Sequence, residues 1–347
     1  MSSPNNYRIK ACRICGNKDL VKIGSLGNIA ISDFTDTPQE GDKYPLELVY
    51  CEKCTLLQLA HNTPRDLLYK NYWYESHINP VIVNDLKEIA KYSNVDIHID
   101  IGGNDGTLLK YSKARLRKIS VDPSNVKPKY GEWVNKYWEK SDTPHANLIT
   151  AIACLYDLPN PNKFIANVKK HLLLNGTFIA QLQTLSPMIQ LNDVGNIVHE
   201  HLEYYSYKSL VWLFEQNGLE IFKVEENKIN GGSYRIFARH FKKGSIYYSE
   251  PEYSISDFWN FFNRIEENKY KFLEWSRGKM IYGYGASTKA NTIMNYYQIY
   301  PLEIIDINPR KVEKYMINSS SKIIDKIPDD CEYLWVFPYG FIDYFKK

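Results

Sequence analysis

Near the middle of a 347-residue chain that holds 8 histidines, His199-Glu200-His201 sets two imidazoles around a carboxylate. An imidazole titrates close to neutral pH, so a positioned histidine suits proton abstraction. Such a cluster serves equally as a metal site, as an acid/base pair or as a buried, mutually satisfied group. In an extended segment His199 and His201 share one side and Glu200 points the other way. Adjacent positions converge on one metal ion only through a sharp turn.

Four of the 6 cysteines stand as two C-x-x-C pairs, Cys12 and Cys15, then Cys51 and Cys54. Two such pairs supply the four thiolates of a closed tetrahedral Zn2+ site, which is structural because it leaves no open coordination position. Gly16, directly after Cys15, permits the tight turn of a zinc knuckle. A redox pair is the alternative for this spacing. Cys154 and Cys331 stand alone and read as ordinary thiols. A zinc ribbon alone also fits a nucleic-acid-binding protein. A net charge of +3, with no basic stripe beside the cysteines, argues against that partner.

A third group lies in IDIGGNDGTLLKY, an apolar run followed by a glycine turn and a helix start. Gly102, Gly103 and Gly106 let a ligand approach the backbone near a helix N-terminus. The spacing is neither G-x-G-x-x-G nor a phosphate loop. Asp100 ends the strand, and Asp122 ends the next one, where a carboxylate can take both hydroxyls of a ribose. Acids without a pyrophosphate signature favour S-adenosylmethionine. Asp100, Gly102, Asn104, Asp105 and Asp122 are its candidate ligands.

Several elements must position these groups. Short strand-like pieces carry the cysteines in residues 1–65, and residues 66–95 read as a helical linker. Apolar runs at VDIHIDI, KISV, NLITAIACL and GTFIAQLQ, separated by polar or helical stretches, predict a parallel sheet across 96–240. A second strand–turn–helix unit, KMIYGYGASTKANTIMNYY, lies within 241–347. With 44% hydrophobic and 24% charged residues the chain reads as globular. It shows neither a run of the roughly 18 apolar residues a membrane span needs nor an apolar leader, so the expected location is cytoplasmic.

Four blocks in this order resemble the zinc-containing sugar C-methyltransferases: the two C-x-x-C pairs; NYWYES with DIGGNDGTLL and VDPSN; HEHLEYYS with GGSYR; and GYGASTKANT with IDINP. The resemblance implies an α/β fold, a Rossmann-like class I methyltransferase domain between an N-terminal zinc domain and a C-terminal α/β domain. It implies S-adenosylmethionine and structural Zn2+, and a nucleotide-linked keto-deoxysugar as substrate, with neither nucleic acid nor membrane as partner. It places Glu200 and His201 at the reaction centre, with His201 the base, and Tyr74 reaching the same cleft. His201 would remove the proton beside the ketone, and the enolate carbon would take the methyl group. Glu200 or His199 would orient the base or the sugar, and Tyr204 or Tyr205 would meet the oxyanion unless both only pack. In GYGASTKANT, Gly283 and Gly285 would admit a diphosphate beside Lys289, or simply pack helix on strand; Arg235 is another candidate phosphate contact. The chain departs from the family at Val198, at Ile152, Ala153 and Asp157, and at Gln181. O- or N-methylation of a nucleotide sugar or glycan is the alternative activity.

Overall fold

The runs read above as strands lie side by side in one seven-stranded sheet of a computed structural model that describes residues 7–69 and 72–338. Across this sheet the strands are Leu219–Asn227, Ser233–His240, Leu172–Gln183, Ala146–Ile152, Ile97–Ile101, Arg117–Val121 and Glu132–Val134. Ser233–His240 runs antiparallel to both neighbours, and the five strands from Leu172–Gln183 to Glu132–Val134 are parallel. The strand order reverses between Ile97–Ile101 and Ala146–Ile152, which opens a crevice at their carboxyl ends. The expected Rossmann-like α/β domain is therefore present, with a reversed strand near one edge.

Local signals set the helices that cover this sheet. Asn160 caps Pro161–His171 by accepting from Lys163 N, with Pro161 preset at the first helical position. Ser206 does the same for Tyr207–Gln216. Their apolar faces, Phe164, Ile165 and Val168 with Leu210, Leu213 and Phe214, enter one core with Ile99, Ile149 and Phe178.

Two smaller sheets flank this domain, and each completes itself with distant chain. Val21–Ala30, Lys43–Cys51 and Leu56–Leu59 form an antiparallel sheet whose fourth strand is Glu203–Tyr204. The C-terminal sheet pairs Tyr333–Val336, Ile281–Tyr284, Glu303–Ile305 and Lys322–Ile324 in parallel. It ends with Tyr315–Met316 and Phe34–Thr35, the latter from the N-terminal region. The 22-residue helix Ile255–Ser276 opens on a capping box of Ser254 and Asp257. It buries Phe258, Phe261, Phe262 and Ile265, one stripe at helical spacing. Gly24 passes directly under the Phe262 ring, where an added Cβ would sit 2.5 Å from it.

The stretch 66–95 is less helical than its spacing suggests. It holds Arg65–Tyr69, a 3-10 turn at Ser76–Ile78 and Pro80–Ala90, with Tyr72–Glu75 in neither helix nor strand. Asn79 caps and Pro80 starts a new helix there, because proline fits only the first turn.

Candidate active site

The four cysteines meet. Sγ of Cys12 and Cys54 are 3.5 Å apart, Cys15 and Cys51 3.4 Å, and all four sulfurs lie within 4.8 Å of one another. A tetrahedral Zn2+ with thiolate bonds near 2.3 Å holds its sulfurs about 3.8 Å apart, so the set fits that ion. Gly16 and Thr55 each follow the second cysteine of a pair, and both turn the chain with left-handed φ, +70° and +60°. Between the first pair, the buried Arg13 donates to Leu59 O (2.6 Å) and Asn62 Oδ1 (2.7 Å) and pairs with Glu203 (3.5 Å).

The glycine turn lines a cavity of about 420 Å³ at the crevice. Gly102, with φ +67°, along with Asp100, Asn104 and Asp122, lines it. Asp122 accepts from Asn104 N (2.9 Å) and Ser124 N (2.8 Å), which squares the turn against the second strand. Asp100 accepts from the Thr150 hydroxyl at 2.6 Å, and His98 Nε2 lies 2.9 Å from that hydroxyl. Burial raises Asp100 to about 7 despite the Thr150 bond. Asp122 stands close enough to Asp100 to add to that rise, and two acids side by side at the cavity suit a cationic ligand.

His199-Glu200-His201 is a turn, closed by His201 N donating to Val198 O at 3.1 Å. Glu200 and His201 therefore both line the cavity, which an extended backbone would have prevented. The same turn sends His199 away, to Tyr44 O at 3.1 Å in the N-terminal sheet. His201 Nδ1 lies 2.9 Å from Asn196 Oδ1 and 3.1 Å from Asn196 O. Because a backbone carbonyl only accepts, Nδ1 carries the proton and Nε2 keeps a free lone pair. The ring stands edge-on to Tyr156 at 4.5 Å. Burial, with Lys289 nearby, holds His201 down to about 3, so it is neutral across the physiological range. Glu200 rises to about 7 by burial; its Oε1 takes a 3.4 Å contact from Thr288, and Oε2 has no partner.

Other expected residues have different work. Asp105 accepts from Thr107 N and Oγ1 and from His77 N and Nδ1, so it ties the Ser76–Ile78 turn down instead of lining the cavity. Arg235 is buried and spent on Asp85 (2.7 Å), Glu225 (3.2 Å) and Gln181 (2.9 Å), which leaves no free guanidinium edge for phosphate. Tyr204 is buried with its hydroxyl 3.4 Å from Asn196 O, and Tyr205 is fully buried in the core. Gly285 also stays outside the cavity lining: a Cβ there would meet Pro338 at 2.7 Å, so its bareness serves packing. Lys289 does line the cavity, paired with Asp193 at 2.9 Å beside Ser287 and Thr288. Tyr74 lines it too, and its carbonyl accepts from Asn104.

The sequence reading passed over Asn196, Thr288, Thr150 and Tyr156. His98 offered a signal, lying two residues before Asp100 on one strand and hence on the same face. Cys154, read as an ordinary thiol, is a cavity residue at the crevice.

Three family models match this chain in tandem: "Putative zinc binding domain" over residues 12–69, "Methyltransferase domain" over 74–224 and "C-methyltransferase C-terminal domain" over 228–343. In this order the three models cover a zinc-binding part, a methyltransferase part and a C-methyltransferase C-terminal part of the chain. C-methyltransferase NovU of Streptomyces niveus is 26% identical over 254 residues, 66% of this chain, and the match spans 60% of the length of that curated relative. Among solved structures, an S-adenosylmethionine-dependent methyltransferase from Clostridium acetobutylicum ATCC 824 aligns at TM-score 0.36 and 11% identity, over 48% of this chain and 92% of that one. Magnesium protoporphyrin IX methyltransferase from Synechocystis PCC 6803, with bound SAH, aligns at TM-score 0.40 and 9% identity, over 49% and 91%.

Proposed function

We propose that the protein is an S-adenosylmethionine-dependent C-methyltransferase acting on a nucleotide-linked keto-deoxysugar. The observation that carries this reading is the anchored His201: Asn196 holds the proton on Nδ1, and the free Nε2 pair belongs to a residue lining the same cavity as the glycine turn and Asp122. Asp100, Gly102, Asn104 and Asp122 would hold S-adenosylmethionine, which supplies an electrophilic methyl group when bound. His201 takes the proton from the carbon beside the ketone, while Glu200 and Tyr74 orient the sugar. The start of helix Thr288–Tyr297, with Ser287, Thr288 and Lys289, receives the diphosphate, since backbone N–H groups and a cation favour negative charge there. In this reading residues 1–65 hold zinc, 96–240 the cofactor and 241–347 the nucleotide sugar, with 66–95 as the link.

Calorimetry on zinc-loaded protein tests the cofactor half. S-adenosylmethionine and S-adenosylhomocysteine should both bind at micromolar levels, and D122A should weaken both by at least about tenfold, the loss of one or two good hydrogen bonds. Absence of binding by folded, zinc-loaded protein would remove the reading.

A further inference from the structure

Asp157 is not explained by the assignments above, although it lines the same cavity. The strand Ala146–Ile152 is followed by Ala153, whose left-handed φ of +56° turns the chain there. The turn is fixed to the active-site segment by backbone: Tyr156 O accepts from Leu202 N at 2.7 Å and from Glu203 N at 3.1 Å. Tyr156 thus meets the His201 ring, and the next residue, Asp157, is carried to the cavity beside Glu200. Its Oδ1 is buried and has no hydrogen-bond partner. A buried, unpartnered carboxyl oxygen costs free energy unless a ligand completes it.

We propose that Asp157 is the catalytic acid of this site, its carboxyl O–H donating to the carbonyl oxygen of the substrate while His201 takes the neighbouring C–H proton. The inference rests on the keto-sugar reading above. As the C–H bond breaks, its proton goes to Nε2 and its electron pair forms the enol double bond, while the carbonyl oxygen takes the Asp157 proton. When that carbon gains the methyl group, the C=O bond re-forms and the proton returns to Asp157. The broken S–C bond leaves its pair on sulfur, and the imidazolium then loses its proton to water.

The surroundings suit a neutral acid. Burial comes first in raising Asp157 well above the ordinary carboxylate range, and the charges of Glu200 and Glu203 add to it. Arg65, from the helix Arg65–Tyr69, opposes them, but its guanidinium is partly engaged by Glu139 at 3.2 Å and stacks on Tyr137. The remaining titratable neighbours, Cys154, Tyr156, Tyr69, Tyr72 and Tyr204, are all raised by burial and therefore neutral at pH 7.

Two readouts decide the matter. Infrared titration of the protein loaded with S-adenosylhomocysteine should show protonated-carboxyl absorption at pH 7, shared with Asp100, Glu200 and Glu203, from which D157N removes one component; absorption undiminished by D157N overturns the proposal without touching the cofactor reading. Methyl transfer to a panel of dTDP-, UDP- and GDP-linked 4-keto-deoxysugars supplies the second readout. D157A should lower kcat about a hundredfold, with S-adenosylhomocysteine affinity unchanged. D157N, which keeps a donor but cannot ionise, should recover part of that loss and abolish the alkaline fall of the wild-type pH profile. Wild-type kcat and an intact alkaline limb in D157N would overturn the proposal alone. Transfer to none of the panel by the wild type would bring down the keto-sugar reading and the proposal together.

Discussion

At the scale of single residues, burial holds two groups at the cavity toward their neutral forms. His201 stays neutral because burial disfavours imidazolium, and Asn196 decides which nitrogen is basic. Asp100 is the opposite case, an acid whose neutral form is favoured by burial, with a folded value of about 7. Between the ordinary carboxylate range and about 7 the folded chain holds a proton that the unfolded chain has lost. Stability from this group is therefore full at low pH and falls as pH rises through that window, at about 1.4 kcal/mol per unit. D100N should consequently raise the melting temperature of the ligand-free protein relative to wild type at pH 8 and much less at pH 5, while weakening S-adenosylmethionine binding. Equal melting shifts at both pH values in calorimetric scans would contradict the assignment.

At the scale of elements, the zinc lobe matters to catalysis through one short strand. Glu203–Tyr204 pairs with Leu57–Gln58 and begins two residues after His201. Arg13, inside the first cysteine pair, holds Glu203 from behind. Stripping the metal should therefore loosen the 199–204 segment as well as the lobe. We expect chelator treatment to lower the melting temperature by at least about 10 °C, several kcal/mol at about 2–4 °C each. Turnover should fall with it, and added Zn2+ should restore both; full turnover in metal-free protein would refute the coupling. Much of this was legible in sequence. The cysteine spacing, the Asp100 and Asp122 strand ends and the alternation of strands and helices rest on local patterns that folding preserves. Roles that depend on backbone turns were not legible. Whether Glu200 faces with His201 or against it depended on the turn at Val198–His201. Arg235 and Asp105 read as ligands because nothing nearby in sequence reveals Asp85, Gln181 or His77 as their partners. Gly285 followed the glycine pattern of a nucleotide turn, yet its freedom is taken up by Pro338, more than fifty residues away.

At the scale of the whole molecule, the cavity draws on the segment after the zinc lobe, on the large sheet and on the C-terminal unit. Tyr69, Tyr72 and Tyr74 come from the segment after the zinc lobe, Asp100 and Asp122 from the large sheet, and Thr288 and Lys289 from the C-terminal unit. Exchanged strands lock these parts together, Glu203–Tyr204 in the N-terminal sheet and Phe34–Thr35 in the C-terminal one. Among the described residues no helix is long and apolar enough to cross a membrane. We propose that His201 removes a proton from carbon before methyl transfer, which separates C-methylation from transfer to oxygen or nitrogen. The most direct measurement is deuterium incorporation from D2O into the carbon beside the ketone, with S-adenosylhomocysteine bound so that no methyl group is available. Wash-in at that carbon is expected from the wild type, and at least about a hundredfold slower wash-in from H201A. Wash-in at an undiminished rate in H201A would contradict the base assignment, and methyl transfer by the wild type without any exchange at carbon would contradict C-methylation itself.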